Sequence, residues 1–178
     1  MSPAGRARIA AYAAVFLIVG VTVLVAREPG RGREASWPAA IERAQTAVAV
    51  GDAGEARRLW EDAYRDAVQR RTAAGLLAVG HLSLQIGDTT HDRQTTTAEA
   101  RRIFLLALLQ AREDHDPDGV ALAGRAFADL GDRDVAARAF DIALALALAK
   151  RDAEAHARVT ALARRAASDG VTESPRAS

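Results

Sequence analysis

The chain has no cysteine, one methionine and few aromatic residues, 4% in all. Without cysteine, disulfides, thiolate metal sites and thiol nucleophiles are excluded. Scarce aromatics leave little material for a base-stacking surface, and 24 Lys+Arg against 23 Asp+Glu give no overall pull towards nucleic acid. Arginines do occur in pairs, at Arg57-Arg58, Arg70-Arg71, Arg101-Arg102 and Arg164-Arg165, but acidic residues are mixed among them. That mixture suits a solvated helix surface better than a track for backbone phosphates. No nucleic-acid partner is expected.

Charge is missing altogether from one stretch, "IAAYAAVFLIVGVTVLVA", Ile9 to Ala26, between a short basic start (residues 1–8, with Arg6 and Arg8) and Arg27. At 1.5 Å per residue such a helix is about 27 Å long, enough to cross a bilayer. A cleaved signal peptide and a buried helix of the main domain are the competing readings; Leu24 and Ala26 make a poor small-x-small site before Arg27. The expectation is an uncleaved transmembrane anchor at 9–26, hence a lipid-bilayer partner. Arginines on both sides barely choose an orientation. So short a leader usually leaves its amino terminus in the cytoplasm, with the following domain outside the inner (plasma) membrane. Residues 27–36, ending "EPGRGREAS", read as a flexible tether.

Beyond the tether, alanine, leucine, arginine and glutamate dominate and no stretch reads as a strand, so the fold class is all-α. Apolar periodicity and the Gly, Pro and Asp clusters predict helices at about 37–50, 53–70, 73–86, 96–113, 117–130, 133–149 and 152–168. The tail 169–178, "DGVTESPRAS", reads as polar and disordered.

The helices carry a repeat. Gly51-Asp52 is followed by Ala56, Trp60 and Ala63; Gly131-Asp132 is followed at the same offsets by Ala136, Phe140 and Ala143. A third copy between them keeps Ala100, Phe104 and Ala107 but sets them eight residues further from Gly87-Asp88, so "DTTHDRQTTT" reads as an enlarged turn. Gly past a helix end accepts a left-handed conformation, and the following Asp begins the next helix. The recurring Trp60, Phe104 and Phe140 are expected in the core.

With Ala44, Gly80 and Gly124 in the preceding helices, and Asp116-Pro117 as a boundary, this pattern resembles the tetratricopeptide repeat (TPR), here of a membrane-anchored bacterial type. The resemblance covers Trp37 to Arg151 and implies a solenoid of three helix pairs, with 152–168 as a terminal capping helix and 37–168 as the repeat domain. The period of 36, the absent leading aromatic and the long second turn depart from the family pattern.

Nothing in the sequence composes an active site. His81, His91, His115 and His156 form no metal motif, Ser83 has no base on its own helix face, and "GDAGEA" lacks the lysine of a phosphate loop. Asp114, His115 and Asp116 could hold a cation weakly or simply end a helix. No catalytic residue, metal or cofactor is expected.

The resemblance implies instead that the first helix of each pair lines a concave face on which ligands lie. By position this gives Ile41, Gln45 and Val48, then Leu77, His81, Leu84 and Gln85, then Ala121, Arg125 and Asp129. The Leu77–His81–Leu84 stripe either lines a groove, with Gln85 and Arg125 as polar anchors, or packs on a neighbouring helix. The expected role is a non-enzymatic scaffold that docks a peptide or partner protein in an envelope assembly. The alternative is an accessory subunit that stabilises a membrane complex through residues 9–26. The run "IFLLALLQA", Ile103 to Ala111, suits a buried helix or a face between two copies of the chain, so a homo-oligomer is a candidate assembly.

Overall fold

The computed structural model describes residues 36–172, with side chains to Asp169. Seven helices follow one another: α1 Trp37–Ala49, α2 Ala53–Gln69, α3 Ala73–Thr90, α4 Arg93–Glu113, α5 Pro117–Asp129, α6 Arg133–Lys150 and α7 Ala153–Thr172. Among the described residues there is no strand, so the all-α expectation holds. No helix among them is long and apolar enough to cross a membrane. The anchor expected at 9–26, most of the tether and residues 173–178 lie outside the described residues.

Each of the first six helices is followed by a short turn, of two residues after α3 and α6 and of three after the others. Its penultimate residue is left-handed at Gly51, Arg71, His91, His115, Gly131 and Arg151. At five of the six turns the next residue donates its N–H to the carbonyl five places back, as Asp52 does to Ala47 and Asp132 to Phe127. That residue then opens the following helix: Asp in five turns, Thr72 in the other. One residue thus closes a helix and starts the next, which keeps each connection short. Glycine marks only two of these turns, so the Gly-Asp pairs seen in the sequence are two cases of a wider rule.

The enlarged turn expected after Gly87 is absent. Helix α3 continues to Thr90 and α4 begins at Arg93, about one turn beyond the expected limit on each side. Gly87 ends nothing; it lies inside α3, where the side chain of Thr96 occupies the place a Cβ would need. Threonines are tolerated in these added turns because Thr89, Thr90 and Thr96 hydrogen-bond to the carbonyls of Gln85, Ile86 and Asp92, four residues earlier. The left-handed residues inside the three hairpins, Gly51, His91 and Gly131, are evenly spaced by 40. The additional eight residues therefore divide as four up α3 and four back down α4, lengthening the hairpin by about 6 Å at 1.5 Å per residue.

Consecutive helices pack as antiparallel neighbours, and the odd helices also pack in series, α1 on α3, α3 on α5 and α5 on α7. They form one layer, and α2, α4 and α6 lie outside it. Trp60, Phe104 and Phe140 are buried in the core between layers, as expected. Gly80 lets α3 come against the face of Phe104, and Gly124 brings α5 to within reach of Ala139. Phe104 in turn meets Phe127 edge-on, with ring centroids 6.3 Å apart, joining the second hairpin to the third. The last helix runs past its expected end, through Asp169 to Thr172, and Arg125 holds Asp169 at 2.8 Å.

Candidate functional site

Each odd helix turns one stripe away from the core, at spacings of four, three and four residues that keep side chains on one helical face. The stripes are Pro38, Glu42, Gln45 and Ala49 on α1, then Ala74, Ala78, His81 and Gln85 on α3, then Asp118, Leu122, Arg125 and Asp129 on α5. All twelve are exposed or half-buried. Because the odd helices pack side by side, the stripes lie next to one another and compose a continuous surface.

Half of the sequence-derived site belongs to it. Gln45, His81, Gln85, Arg125 and Asp129 stand on the stripes. Ile41, Leu77 and Ala121 are only 5%, 7% and 1% exposed and serve the core, facing the outer helices rather than a ligand. Val48 and Leu84 are half-buried against that core. The Leu77–His81–Leu84 stripe therefore divides: its leucines pack inward and its histidine reaches the surface. Ala74, Ala78 and Leu122 were not anticipated. Leu122, 46% exposed, is the largest apolar group on the surface; its signal in the sequence was its place four residues after Asp118 and three before Arg125.

The two ends of the surface differ electrostatically. At the α5 end the charges are paired. Arg125 donates to Asp129 at 2.8 Å and reaches Asp169 of α7 at 2.8 Å, and Arg158 of α7 binds Asp118 through two hydrogen bonds of 3.1 and 2.6 Å. Burial raises the Asp129 carboxyl above its ordinary range, against the pull of Arg125. Arg125 is thus a brace between α5 and α7, not the free anchor anticipated. At the α1 and α3 end, the side-chain amides of Gln45 and Gln85 have no hydrogen-bond partner among the described residues. His81 rests on Phe104 with ring centroids 5.0 Å apart, and burial lowers its pKa to about 4, so it is neutral at pH 7. This end is a shallow floor of Ala49, Ala74 and Ala78, bordered by the neutral Gln45, His81 and Gln85 and by the carboxylate of Glu42, with Leu122 beyond it on α5.

Elsewhere the groups that could serve chemistry are committed to structure. Ser83 donates to Glu99 at 2.6 Å, and His115 Nδ1 lies 2.9 Å from the Glu113 carbonyl. Among the described residues no group of three acids or histidines is placed to hold a metal ion, the Asp114–Asp116 cluster included. The depressions at the α6–α7 turn, beside Leu148 and His156, and along α2, beside Tyr64 and Val68, are wide open and shallow. Comparison with family models, with curated proteins and with solved structures finds no match to this chain.

Proposed function

We propose that the chain is a membrane-tethered, TPR-like repeat protein without enzymatic activity, which docks a segment of a partner protein across α1 and α3. The observation that carries this reading is the pair of unpartnered amides, Gln45 and Gln85, beside alanines on a surface whose α5 charges are already paired and whose α1 stripe adds the exposed carboxylate of Glu42. Side-chain amides offer both a donor and an acceptor, which is what an extended peptide backbone requires. A neutral His81 and the exposed Glu42 carboxylate on the α1 stripe favour an uncharged, partly apolar segment over an acidic tail. Ala74 and Ala78 leave room for the partner's side chains. Residues 9–26 would hold the domain at the membrane, within an assembly at the envelope.

The test is photo-crosslinking in the native membrane, with the reactive group placed at Gln45, Gln85 or, as a control, Gln69 on α2. One stoichiometric adduct from Gln45 and Gln85 but not from Gln69, lost when Ala78→Arg fills the floor, is the expected result. Adducts only from positions within 9–26 would replace this reading with that of a subunit assembled through its anchor.

A further inference from the structure

The helix α4 presents Leu105, Leu106 and Leu109 to solvent at 47%, 41% and 46% exposure, all on one face. An arginine stands one turn beyond each end of this patch, Arg102 before it and Arg112 after it. Neither has an acidic partner among the described residues. Elsewhere on the molecule arginines are commonly paired, as Arg57 is with Glu99 and Arg101 with Asp132. At the register positions of the three leucines the neighbouring outer helices carry Glu61, Asp62 and Arg65 on α2, and Asp141, Ile142 and Ala145 on α6. The large exposed apolar side chains of this patch thus belong to α4. They are bounded by charge on the α2 side and by Asp141 with the smaller or half-buried Ala145 and Ile142 on the α6 side, with a free cation at either end.

We propose that this face docks an amphipathic helix of a partner protein whose apolar stripe is bounded at both ends by carboxylates. Apolar side chains at helical spacing supply the contact area, and the two arginines fix polarity by pairing with acids, as amphipathic helices are read elsewhere. Two other occupants fit less well. An antiparallel pairing of two copies about the Leu105–Leu109 midpoint would place Arg102 against Arg112 twice, setting like charges together. An anionic bilayer would press a plane against the whole outer layer and bring Glu61, Asp62 and Asp141 onto the lipid headgroups, whereas a single helix lies along α4 alone. This surface is on the opposite layer from Gln45 and Gln85, so it stands or falls independently of the groove.

The test uses the full chain and two labelled synthetic helices of about 18 residues, five turns each, with one leucine stripe flanked by glutamates or by lysines. The glutamate peptide should bind about tenfold tighter than the lysine peptide. Arg102→Glu with Arg112→Glu should invert that order, Leu106→Gln with Leu109→Gln should abolish binding of both, and Gln45→Ala with Gln85→Ala should change neither. These outer side chains are exposed, and circular dichroism checks that each variant stays folded. Absence of binding, equal binding of the two peptides, or a preference unmoved by the arginine reversals would overturn the proposal. So would association confined to anionic vesicles, or sedimentation as a dimer that Leu109→Gln dissolves.

Discussion

Arg57 on α2 and Glu99 on α4 share two parallel hydrogen bonds, of 2.9 and 2.8 Å, that tie the first hairpin to the second. Their partners extend the link. Ser83 of α3 donates to the same carboxylate, and the guanidinium lies 4.2 Å above the Trp60 ring, whose indole N–H reaches the Val79 carbonyl at 3.0 Å. One residue after the next repeat's alanine, Arg101 does the same job, binding Asp132 at 2.6 Å. Repeats that touch only their neighbours depend on such interfaces for cooperativity.

Glu99→Ala should therefore cost about 1–2 kcal/mol, because it leaves the buried Ser83 hydroxyl only the long 3.5 Å bond to the Thr96 carbonyl and a half-exposed arginine without its main partner. Urea unfolding reads this as a lower midpoint, and a cycle with Arg57→Ala gives the coupling. Strict additivity of the two substitutions would mean that the pair contributes no coupling.

Gly80 has no room for a methyl group, since a Cβ there would sit inside the contact surface of Phe104. Gly80→Ala should destabilise by about 1–3 kcal/mol, the usual cost of overpacking. Trimming the ring with Phe104→Leu should make the same alanine cheaper. If the cost of Gly80→Ala is equal in both backgrounds, the ring is not what excludes it.

The left-handed turn residues give a prediction of opposite signs. Gly131 at φ 82° should lose about 1–2 kcal/mol on replacement by alanine, whereas Arg151 at φ 55° already bears that strain, and Arg151→Gly should raise stability. Thermal melts of the two variants should move in opposite directions, with Gly131→Asn falling between Gly131→Ala and the parent.

These turns also show how far the sequence could be read. Helix number, order and the hairpin pairing follow from apolar periodicity and from Gly51-Asp52 and Gly131-Asp132. Gly87-Asp88 misled because the dipeptide is identical while its tertiary use differs: the same glycine that can end a helix can also admit a neighbour, here Thr96. His91-Asp92 performs the turn instead, and histidine's modest tolerance of the left-handed region is a far weaker signal than a glycine. The repeat register placed Gln45, His81 and Gln85 on the outward stripes, where the structure has them. It did not separate the stripe facing the core, Ile41, Leu77 and Ala121, from the one beside it, because a rotation of about 100° between adjacent residues leaves both apolar and small in this alanine-rich chain. Nor could it foresee that α7 would claim Arg125, since that pair depends on a helix continuing to Asp169.

His81 makes stability respond to acid. Its pKa is near 6.5 when exposed and about 4 in the fold, because burial against Phe104 disfavours the imidazolium. Between those values the unfolded chain binds the proton and the folded chain does not, so stability rises with pH across that window and is lost as pH falls from 6.5 through 4. The full loss is on the order of 3 kcal/mol. Unfolding midpoints at pH 7 and 4.5, compared between the parent and His81→Gln, isolate this contribution from the carboxylate pairs. Parallel pH profiles for the two proteins would show that His81 is not the sensitive group.

The long α3–α4 hairpin carries a rule of growth. Four residues were added on the ascending side and four on the descending side, so the Ala100–Phe104–Ala107 face still meets Gly80 and the outward stripe from Ala74 to Gln85 keeps its alignment with α1 and α5. An unmatched addition of four residues would leave one helix about 6 Å longer than its partner, so that the short turn could not join their ends. Variation in length is thus confined to symmetric steps of one turn at the tip, where it leaves the stacked base untouched. Deleting four residues from both sides of His91 should give a folded protein, and deleting four from one side should not. A repeat of this kind can reach further from its neighbours, as a mast is raised by whole sections, without renegotiating any contact below.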